Sequence, residues 1–409
     1  MGTITGYTAE RMKEIEDSTV VDGQVLADNL VLTTRDGTVI NAGNVRGRSG
    51  ESAYIQGVLL PAIKLATNGP AIQVQNTPAN YPGFSNSVDW SPDGRFLAVG
   101  HGTSPYLSVY RFDGVALTIV SGIGVNPPAV VPPADVNSVS WSPDGRYLVV
   151  THSNAPYFTA YIFDGLTLTA IPSPAILPAG VGYSAAWSPN GKFLAVGHLN
   201  SPYLTVYEFN GFGFVKMTDP ATLPGLHVLS VSWSPDGRFL ATGHQQSPYL
   251  TVYSFDGAAL TKITNPATLP TGIAYDVNWS PNGGYLAVAH VSSPYLTVYR
   301  FTGGTLTKIA NPSTLPVSAG VCAAWSPDGR YITFVSGTAE VPKTYFIENG
   351  VFGSLYSNTV GNNRARNDAA WSPDGRFVIY ATVTAPYYIE LYKTLPTHFA
   401  DGSYELAFR

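Results

Sequence analysis

Seven tryptophans divide most of the chain into repeats of nearly constant length. The first interval between them is 51 residues and each of the next five is 46, for Trp90, Trp141, Trp187, Trp233, Trp279, Trp325 and Trp371. Each is followed by Ser-Pro, then Asp or Asn, then Gly, and no tryptophan lies outside this pattern. A period in the forties that holds several short strands is typical of the blades of a β-propeller.

The repeat that begins at Val231 predicts four short strands separated by turns. Gly and Pro interrupt it too often for a helical solenoid, and its Ser-Pro-Asp-Gly and Asp-Gly phrases favour reverse turns. The predicted strands are 231–233, 238–244, 249–255 and 260–263. The fold class is therefore all-β, a seven-bladed β-propeller of four-stranded antiparallel blades.

Residues 58–409 resemble the WD-repeat and TolB-like propellers, whose blades carry a Ser-Pro-Asp-Gly turn after the first strand. The third strand here ends in Tyr253 and Phe255 rather than Trp-Asp, and the Gly-His pair ends the second strand instead of preceding the first. The hydrogen-bonded tetrad of true WD repeats is therefore not carried over. The resemblance implies the fold.

The two ends of the chain offer more closing strands than seven blades need. Ile63–Ala66 looks like a fourth strand ahead of the first blade, and Tyr404–Phe408 looks like one at the end. The sequence does not choose between them. We assign 51–80 to a linker with a candidate ring-closing strand and 81–409 to the propeller.

Residues 1–50 do not match the repeat. Thr8–Ile15 has an N-cap residue and early acidic residues and predicts a helix. Val20–Val25 and Leu30–Ile40 are predicted β segments with Asp-Gly turns. The expected appendage is a small helix plus hairpin, which buries little by itself and would be stabilised by docking on a partner or by forming a homo-oligomer.

The same stretch resembles a module at the start of minor tail and tail-fibre proteins of bacteriophages of actinobacteria. The matching phrases are Val20–Val25, Asn29–Thr38 and Ala42–Gly47. The resemblance implies a segment that attaches the protein to other virion proteins, ahead of a variable C-terminal domain. The alternative is a β-rich cap on one face of the propeller.

Composition excludes several classes of function. The net charge of −5 argues against nucleic-acid binding, which needs clustered Lys and Arg side chains. One cysteine gives neither a disulfide framework nor a metal cluster, so no metal and no cofactor is expected. No apolar run reaches the ~18 residues of a membrane span, and Met1–Ala9 lacks the features of a signal peptide. We therefore expect no membrane insertion and synthesis in a host bacterial cytoplasm.

Two repeated residues stand out on one predicted rim. Aromatic rings with a polar tip suit glycan or protein recognition, although a tyrosine packed between blades is the competing interpretation. These candidate tyrosines are Tyr106, Tyr157, Tyr203, Tyr249, Tyr295 and Tyr387. A histidine 11 residues after the tryptophan recurs in five blades, and we expect a repeated structural role because equivalent positions on a ring lie too far apart to bind one metal.

Polar residues that break the repeat collect in blades six and seven. Arg364, Arg366 and Asp368 are a candidate binding patch, with Glu340 and Lys343 nearby in sequence. The alternative is a set of surface residues that have drifted from the repeat.

The sequence therefore predicts a bacteriophage virion protein, tail-associated, whose propeller binds a host cell-surface glycan or protein or a neighbouring virion protein. Catalysis needs an asymmetric cluster of unlike residues, and none is evident in the repeats, so no enzyme is expected. One alternative is a lectin-like or scaffolding propeller outside a virion. A second is a lactonase-like enzyme, which would need an asymmetric acidic or histidine cluster in the central channel.

Overall fold

The computed structural model describes residues 20–26, 29–34, 39–44, 72–73, 83–121, 128, 130–338, 341–357, 366–383 and 389–393. The chain divides into two compact units, one formed by Met1–Gly69 with Leu395–Arg409 and the other by Pro70–Thr394. No helix of these described residues is long and apolar enough to cross a membrane.

The first unit contains a three-stranded antiparallel sheet of Val20–Leu26, Asn29–Thr34 and Val39–Asn44. One detail of the prediction is wrong. Asp22-Gly23 lies inside the first strand, beside an irregularity in register, rather than in a turn. The segment predicted over 30–40 as β structure with an Asp-Gly turn falls on two strands, which pair with each other. The predicted helix at Thr8–Ile15 falls outside the described residues.

The second unit contains seven four-stranded antiparallel sheets, which confirms the predicted propeller. The first strands of blades one to seven are Ser85–Trp90, Val136–Trp141, Gly182–Trp187, Val228–Trp233, Ala274–Trp279, Gly320–Trp325 and Arg366–Trp371. The second strands are Phe96–His101, Tyr147–His152, Phe193–His198, Phe239–His244, Tyr285–His290, Tyr331–Ser336 and Phe377–Thr382. The third strands are Leu107–Phe112, Phe158–Phe163, Leu204–Phe209, Leu250–Phe255, Leu296–Thr302, Lys343–Glu348 and Ile389–Lys393. The fourth strands are Leu117–Ser121, Leu168–Ala170, Phe214–Lys216, Leu260–Lys262, Thr305–Lys308, Val351–Ser357 and Ile72–Gln73.

The fourth strand of blade seven comes from the chain ahead of blade one. Gln73 pairs with Tyr392, and Ile72 pairs with Lys393, in antiparallel register. The two segments considered from sequence, 63–66 and 404–408, lie outside the described residues. The last blade is therefore completed by an early strand, which fastens the ring.

The Ser-Pro-Asp-Gly phrase, with Asn in place of Asp in blades three and five, forms the same tight turn in every blade. In blade four, the Ser234 hydroxyl donates to Asp236 Oδ1 at 2.5 Å and accepts from the Phe239 N–H at 2.9 Å. Gly237 has φ +69°, a left-handed conformation that favours glycine. The turn is thus fixed by its own side chains and needs no ligand.

Aromatic residues form the core between adjacent blades. Trp233 meets Phe255 edge to face at 5.2 Å, and both pack with Phe193 of blade three. The Trp233 indole N–H donates to the Ala186 carbonyl of the preceding blade at 3.2 Å. The tryptophans thus bury apolar surface between two sheets, and the indole N–H is hydrogen-bonded in the same way in Trp141 and Trp325. Among the described residues, no partner is found for the indole N–H of Trp90, Trp187 and Trp279.

Buried tyrosines hold the long crossings that join one blade to the next. The Tyr161 hydroxyl donates to the Val130 carbonyl at 2.9 Å, and Tyr207 donates in the same way to Ile176 at 3.0 Å. The same bond, 31 residues back along the chain, is made by Tyr253, Tyr299 and Tyr345. The proline-rich crossings are therefore fixed on one rim, which we call the upper rim.

Candidate functional site in the central channel

The first strands of the seven blades surround a central channel. Each first strand contacts the first strands of both neighbouring blades, and the seventh contacts the first. A bulge near the start of the strand turns three side chains toward the next blade, at four, three and one residue before the tryptophan. Contacts from Asn86, Ser87 and Asp89 to blade two place these positions on the channel wall.

Small polar side chains occupy the middle of the wall and join the blades. The Ser230 hydroxyl accepts from the Val277 N–H at 3.1 Å. Asp276 accepts from the Ala323 N–H at 2.9 Å in the same way. The residues of this ring are Ser87, Ser138, Ser184, Ser230, Asp276, Cys322 and Asp368. In this way, side chains of the ring accept hydrogen bonds from backbone N–H groups on the first strand of the next blade. The middle ring therefore has a structural role.

Three carboxyl groups make the wall asymmetric. Asp276 and Asp368 belong to the middle ring of blades five and seven, and Asp89 lies just before the tryptophan of blade one. Asp276 receives the Ser230 hydroxyl at 2.8 Å, and Asp368 receives the Ser87 hydroxyl at 2.9 Å. Asp89 Oδ2 accepts the Trp141 N–H at 2.8 Å. All three residues are half-buried.

Burial raises the pKa of these carboxyl groups toward neutral pH. Loss of solvent raises the pKa of Asp89 to about 7, and repulsion from Asp368 adds to the increase. Burial also raises the pKa of Asp368 to about 6, with a further contribution from the charge of Asp276. The pKa of Asp276 is raised by burial as well. Carboxyl groups with these pKa values can exchange protons at neutral pH.

Cys322 lies in the middle ring between the two aspartates of blades five and seven. It is buried, and its thiol lies 3.7 Å from the Ala369 carbonyl. Burial and the charges of Asp368 and Asp276 raise the pKa of the thiol well above its ordinary value. Cys322 is therefore a neutral thiol and fills the position that serine takes in the first four blades.

The charged residues at the three wall positions of each blade are all acidic. None of these positions, at four, three and one residue before the tryptophans, carries Lys, Arg or His. Within the described ranges, no group of three or more His, Cys, Asp or Glu is arranged to hold a metal ion. The acidic character of the wall is therefore not neutralised by basic residues at these positions.

The upper end of the channel has two unlike halves. In blades seven, one and two, Asn367, Asn86 and Asn137 donate from their amides to carbonyl groups of the next blade at 2.8–3.1 Å. In blades three to six the equivalent residues are Tyr183, Leu229, Tyr275 and Val321. We call these the amide arc and the apolar arc of the mouth.

The predicted tyrosine ring lies on the upper rim. Tyr106, Tyr157, Tyr203, Tyr249 and Tyr295 follow cis prolines, have φ of 63–71° and are half-buried. Four of them, all but Tyr157, pack against core clusters that include the next blade. Tyr387 lies outside the described residues. Recognition by these rings stays a prediction, and their packing also favours the structural interpretation.

The predicted patch of blade seven is not brought together within the described part of the chain. Asp368 lies on the channel wall and is bonded to blade one. Arg364 and the side chain of Arg366 lie outside the described atoms. A role for the three together stays a prediction.

The repeated histidines have the structural role that the sequence predicts. All five are fully buried at the end of the second strand. In blades two to five the ring Nε2 bonds a threonine hydroxyl of the third strand at 2.9–3.0 Å, as in His244 with Thr251. Burial lowers their pKa, to about 4 for His244, so they are neutral at pH 7.

Sequence reasoning missed Asp89 and Asp276. Each replaces a small residue at one position of one repeat, and the three aspartates are far apart in the chain. Aligning all seven repeats at three residues before the tryptophan would have found Asp276 and Asp368 against four serines. Only closure of the ring brings Asp368 beside blade one.

Comparison with known proteins supports the propeller fold. Residues 135–325 match a family model described as a lactonase with a seven-bladed β-propeller. The β-propeller domain of Cps50 (Swd1) from Myceliophteria thermophila is similar over 77% of this chain and 99% of its own, at 13% identity and a TM-score of 0.60. Hydrazine synthase from Kuenenia stuttgartiensis is similar over 78% of this chain and 98% of its own, at 16% identity and a TM-score of 0.59. At these identities the two structures support the fold alone. A search of curated protein sequences found no significant match.

The lactonase match contradicts the expectation that the chain is not an enzyme. That expectation depended on the absence of an asymmetric cluster within the repeats. The cluster is spread over three blades, one aspartate in each, and is assembled only by the ring.

Proposed function

We propose that this chain hydrolyses lactones, which are cyclic esters, in its central channel. The observation that carries the proposal is the placement of Asp89, Asp276 and Asp368 on the channel wall, where Asp368 interacts electrostatically with Asp89 and with Asp276 and burial raises the pKa of all three. The match of residues 135–325 to a lactonase propeller model supports the same reaction class.

The carboxyl groups can supply the proton transfers that ester hydrolysis needs. Asp368, ionised above its pKa of about 6, takes a proton from water as the water oxygen attacks the lactone carbonyl carbon. The tetrahedral intermediate collapses with cleavage of the bond to the ring oxygen. Asp89, with a pKa of about 7, is partly protonated at neutral pH and donates a proton to that oxygen. The product is an open-chain hydroxy acid, and no other reactant is consumed.

The test is hydrolysis of a panel of five- and six-membered lactones by the full chain, measured by acid release. We expect Asp368→Asn and Asp89→Asn each to lower kcat by about 10²–10⁴ while near-ultraviolet dichroism is retained. Glu208→Gln is the matched control, because Glu208 is an exposed carboxylate on a third strand. Absence of hydrolysis by the unsubstituted chain, or full activity in both Asn variants, would overturn the proposal.

A second candidate function is attachment of the propeller to a virion, through residues 1–50, for binding to a host surface or a neighbouring tail protein. It is favoured by the N-terminal phrases and by apolar side chains on the upper rim. The crossings expose Val130 (54%), Ile176 (60%), Leu226 (43%) and Val317 (71%). The carbonyl groups of Val130 and Ile176 are held inward by Tyr161 and Tyr207, so these residues stay in place on the surface. Fixed exposed apolar groups are typical of protein interaction surfaces.

This second function is tested on phage particles assembled with altered chains. Deletion of residues 1–50 is expected to remove the protein from purified particles. Ile176→Ser together with Val317→Ser is expected to leave the protein in the particle but reduce adsorption to host cells. Retention of the deleted chain at the wild-type amount would argue against attachment through residues 1–50.

A further inference from the structure

We infer that the channel selects neutral lactones that carry an apolar substituent and discriminates against lactones that carry a carboxylate or phosphate. The inference rests on the proposed function and adds the substrate class. It comes from two independent features, the one-sided charge of the wall and the division of the mouth into two arcs.

The charge of the wall disfavours anions. Asp89, Asp276 and Asp368 are the ionisable groups of the wall positions apart from Cys322 and the two tyrosines of the mouth, and no basic residue stands at those positions. An anionic group beside them would meet like charge in a partly desolvated channel, where repulsion is stronger than in water. A neutral ester meets no such repulsion, and its carbonyl carbon can be approached by water bound to Asp368.

The mouth of the channel offers two kinds of contact. The amides of Asn86, Asn137 and Asn367 are held by their bonds to the next blade, so their polar groups have fixed positions. Rigid polar groups of this kind can orient an ester by hydrogen bonds. The amide arc therefore suits the polar ring of a lactone.

The apolar arc does not fasten the blades in that way. Its Leu and Val side chains cannot donate the hydrogen bond that the asparagine amides make to the next blade. Tyr275 exposes 42% of its surface at the channel mouth. Tyr183, Leu229 and Val321 are half-buried beside it on neighbouring blades. An alkyl or other apolar substituent that covered the Tyr275 ring would gain from removal of apolar surface from water. The arc opposite the asparagines therefore suits a substituent rather than the ester itself.

The experiment compares three lactones of the same ring size, one unsubstituted, one with a short alkyl chain and one with a carboxylate-ended chain of equal length. We expect kcat/KM to be at least about tenfold higher for the alkyl lactone than for the carboxylated one at low salt. Tyr275→Ala should raise KM for the alkyl lactone severalfold, and by a larger factor than it raises KM for the unsubstituted lactone. The control is Phe212→Ala, an 84% exposed ring on the opposite rim, which should change neither.

The outcomes separate this inference from the proposed function. If no lactone is hydrolysed, the proposed function fails and this inference fails with it. If lactones are hydrolysed but the carboxylated compound is preferred, or Tyr275→Ala leaves the KM for the alkyl lactone unchanged, only the substrate class is wrong.

Discussion

Asp368 in the seventh blade accepts a hydrogen bond of 3.0 Å from the backbone N–H of Val88 in the first blade. The same carboxyl oxygen receives the Ser87 hydroxyl at 2.9 Å. These bonds join the first strand of blade seven to the first strand of blade one, where the ring of blades closes. The residue proposed as general base is therefore also a structural link, and variants must be tested for both roles.

Removal of the Asp368 side chain should destabilise the propeller. Asp368→Ala leaves the Val88 N–H without its acceptor, and we expect a loss of about 1–3 kcal/mol in the free energy of unfolding. Urea unfolding followed by tryptophan fluorescence measures it, with Glu208→Gln expected to change stability by less than about 0.5 kcal/mol. An unchanged midpoint for Asp368→Ala would mean that the seam bond contributes nothing.

Acid should destabilise the propeller between about pH 6.5 and pH 4. Burial lowers the pKa of His152, His198, His244 and His290 from 6.5 to about 4 and that of His101 to about 3. In this window the unfolded chain binds protons that the folded chain excludes, so stability falls as the pH falls. A shift of this size corresponds to about 3 kcal/mol for each fully buried histidine.

The channel aspartates act in the opposite direction over part of the same range. The folded pKa of Asp89 and Asp368 lies above the ordinary 3.8, so their contribution to stability is largest at low pH and is lost as the pH rises through about 6 to 7. The pKa of Asp276 is raised as well, and the five histidines outweigh these three aspartates. The free energy of unfolding from urea titrations at each pH should therefore fall from pH 6.5 to pH 4, and His244→Asn should have a shallower slope. A rise in stability over that interval would contradict the assignment of neutral buried histidines.

Loss of one hydrogen bond between a buried tyrosine and an interblade crossing should lower stability measurably and act locally. Tyr161→Phe removes the 2.9 Å bond to Val130, and we expect about 1 kcal/mol of destabilisation and faster amide exchange around Val130. Tyr147→Phe is the control, since the Tyr147 hydroxyl is 3.5 Å from its nearest acceptor, the Gly211 carbonyl. Equal effects of the two substitutions would show that the crossing is not held by this bond.

Alanine substitutions at two glycines distinguish the effect of backbone conformation on stability from the effect of side-chain packing. Gly237→Ala places a side chain at φ +69° in the Ser-Pro-Asp-Gly turn and should cost about 1 kcal/mol. Gly213→Ala, in a turn where an added Cβ has no atom within 4 Å, should be neutral or slightly stabilising. Thermal unfolding of both variants tests this difference, and a larger loss for Gly213→Ala would contradict it.

The architecture was predictable because every blade repeats the same local signals. Trp233, its Ser-Pro-Asp-Gly turn and the Asp256-Gly257 turn are sufficient to place four strands, since each has a local conformational cause. The buried histidines were predictable for the same reason, as a ring of equivalent positions cannot bind one metal. The channel site was not predictable in this way, because Asp89 and Asp276 each differ from the repeat at one position in one blade. Their place on the channel wall depends on the packing of strands that are distant in sequence. The closing strand was equally hidden, since Ile72–Gln73 is a two-residue element whose partner is at the other end of the chain.

That closing strand also sets an order on assembly of the molecule. Ile72–Gln73 leaves the ribosome before any blade does, yet the strand it must pair with is made after all the others. The nascent blades can stack one upon another, but the ring stays open until synthesis of the seventh sheet is nearly complete. A chain truncated before Ile389 would thus leave Ile72–Gln73 without its partner strand and available for pairing with a second molecule.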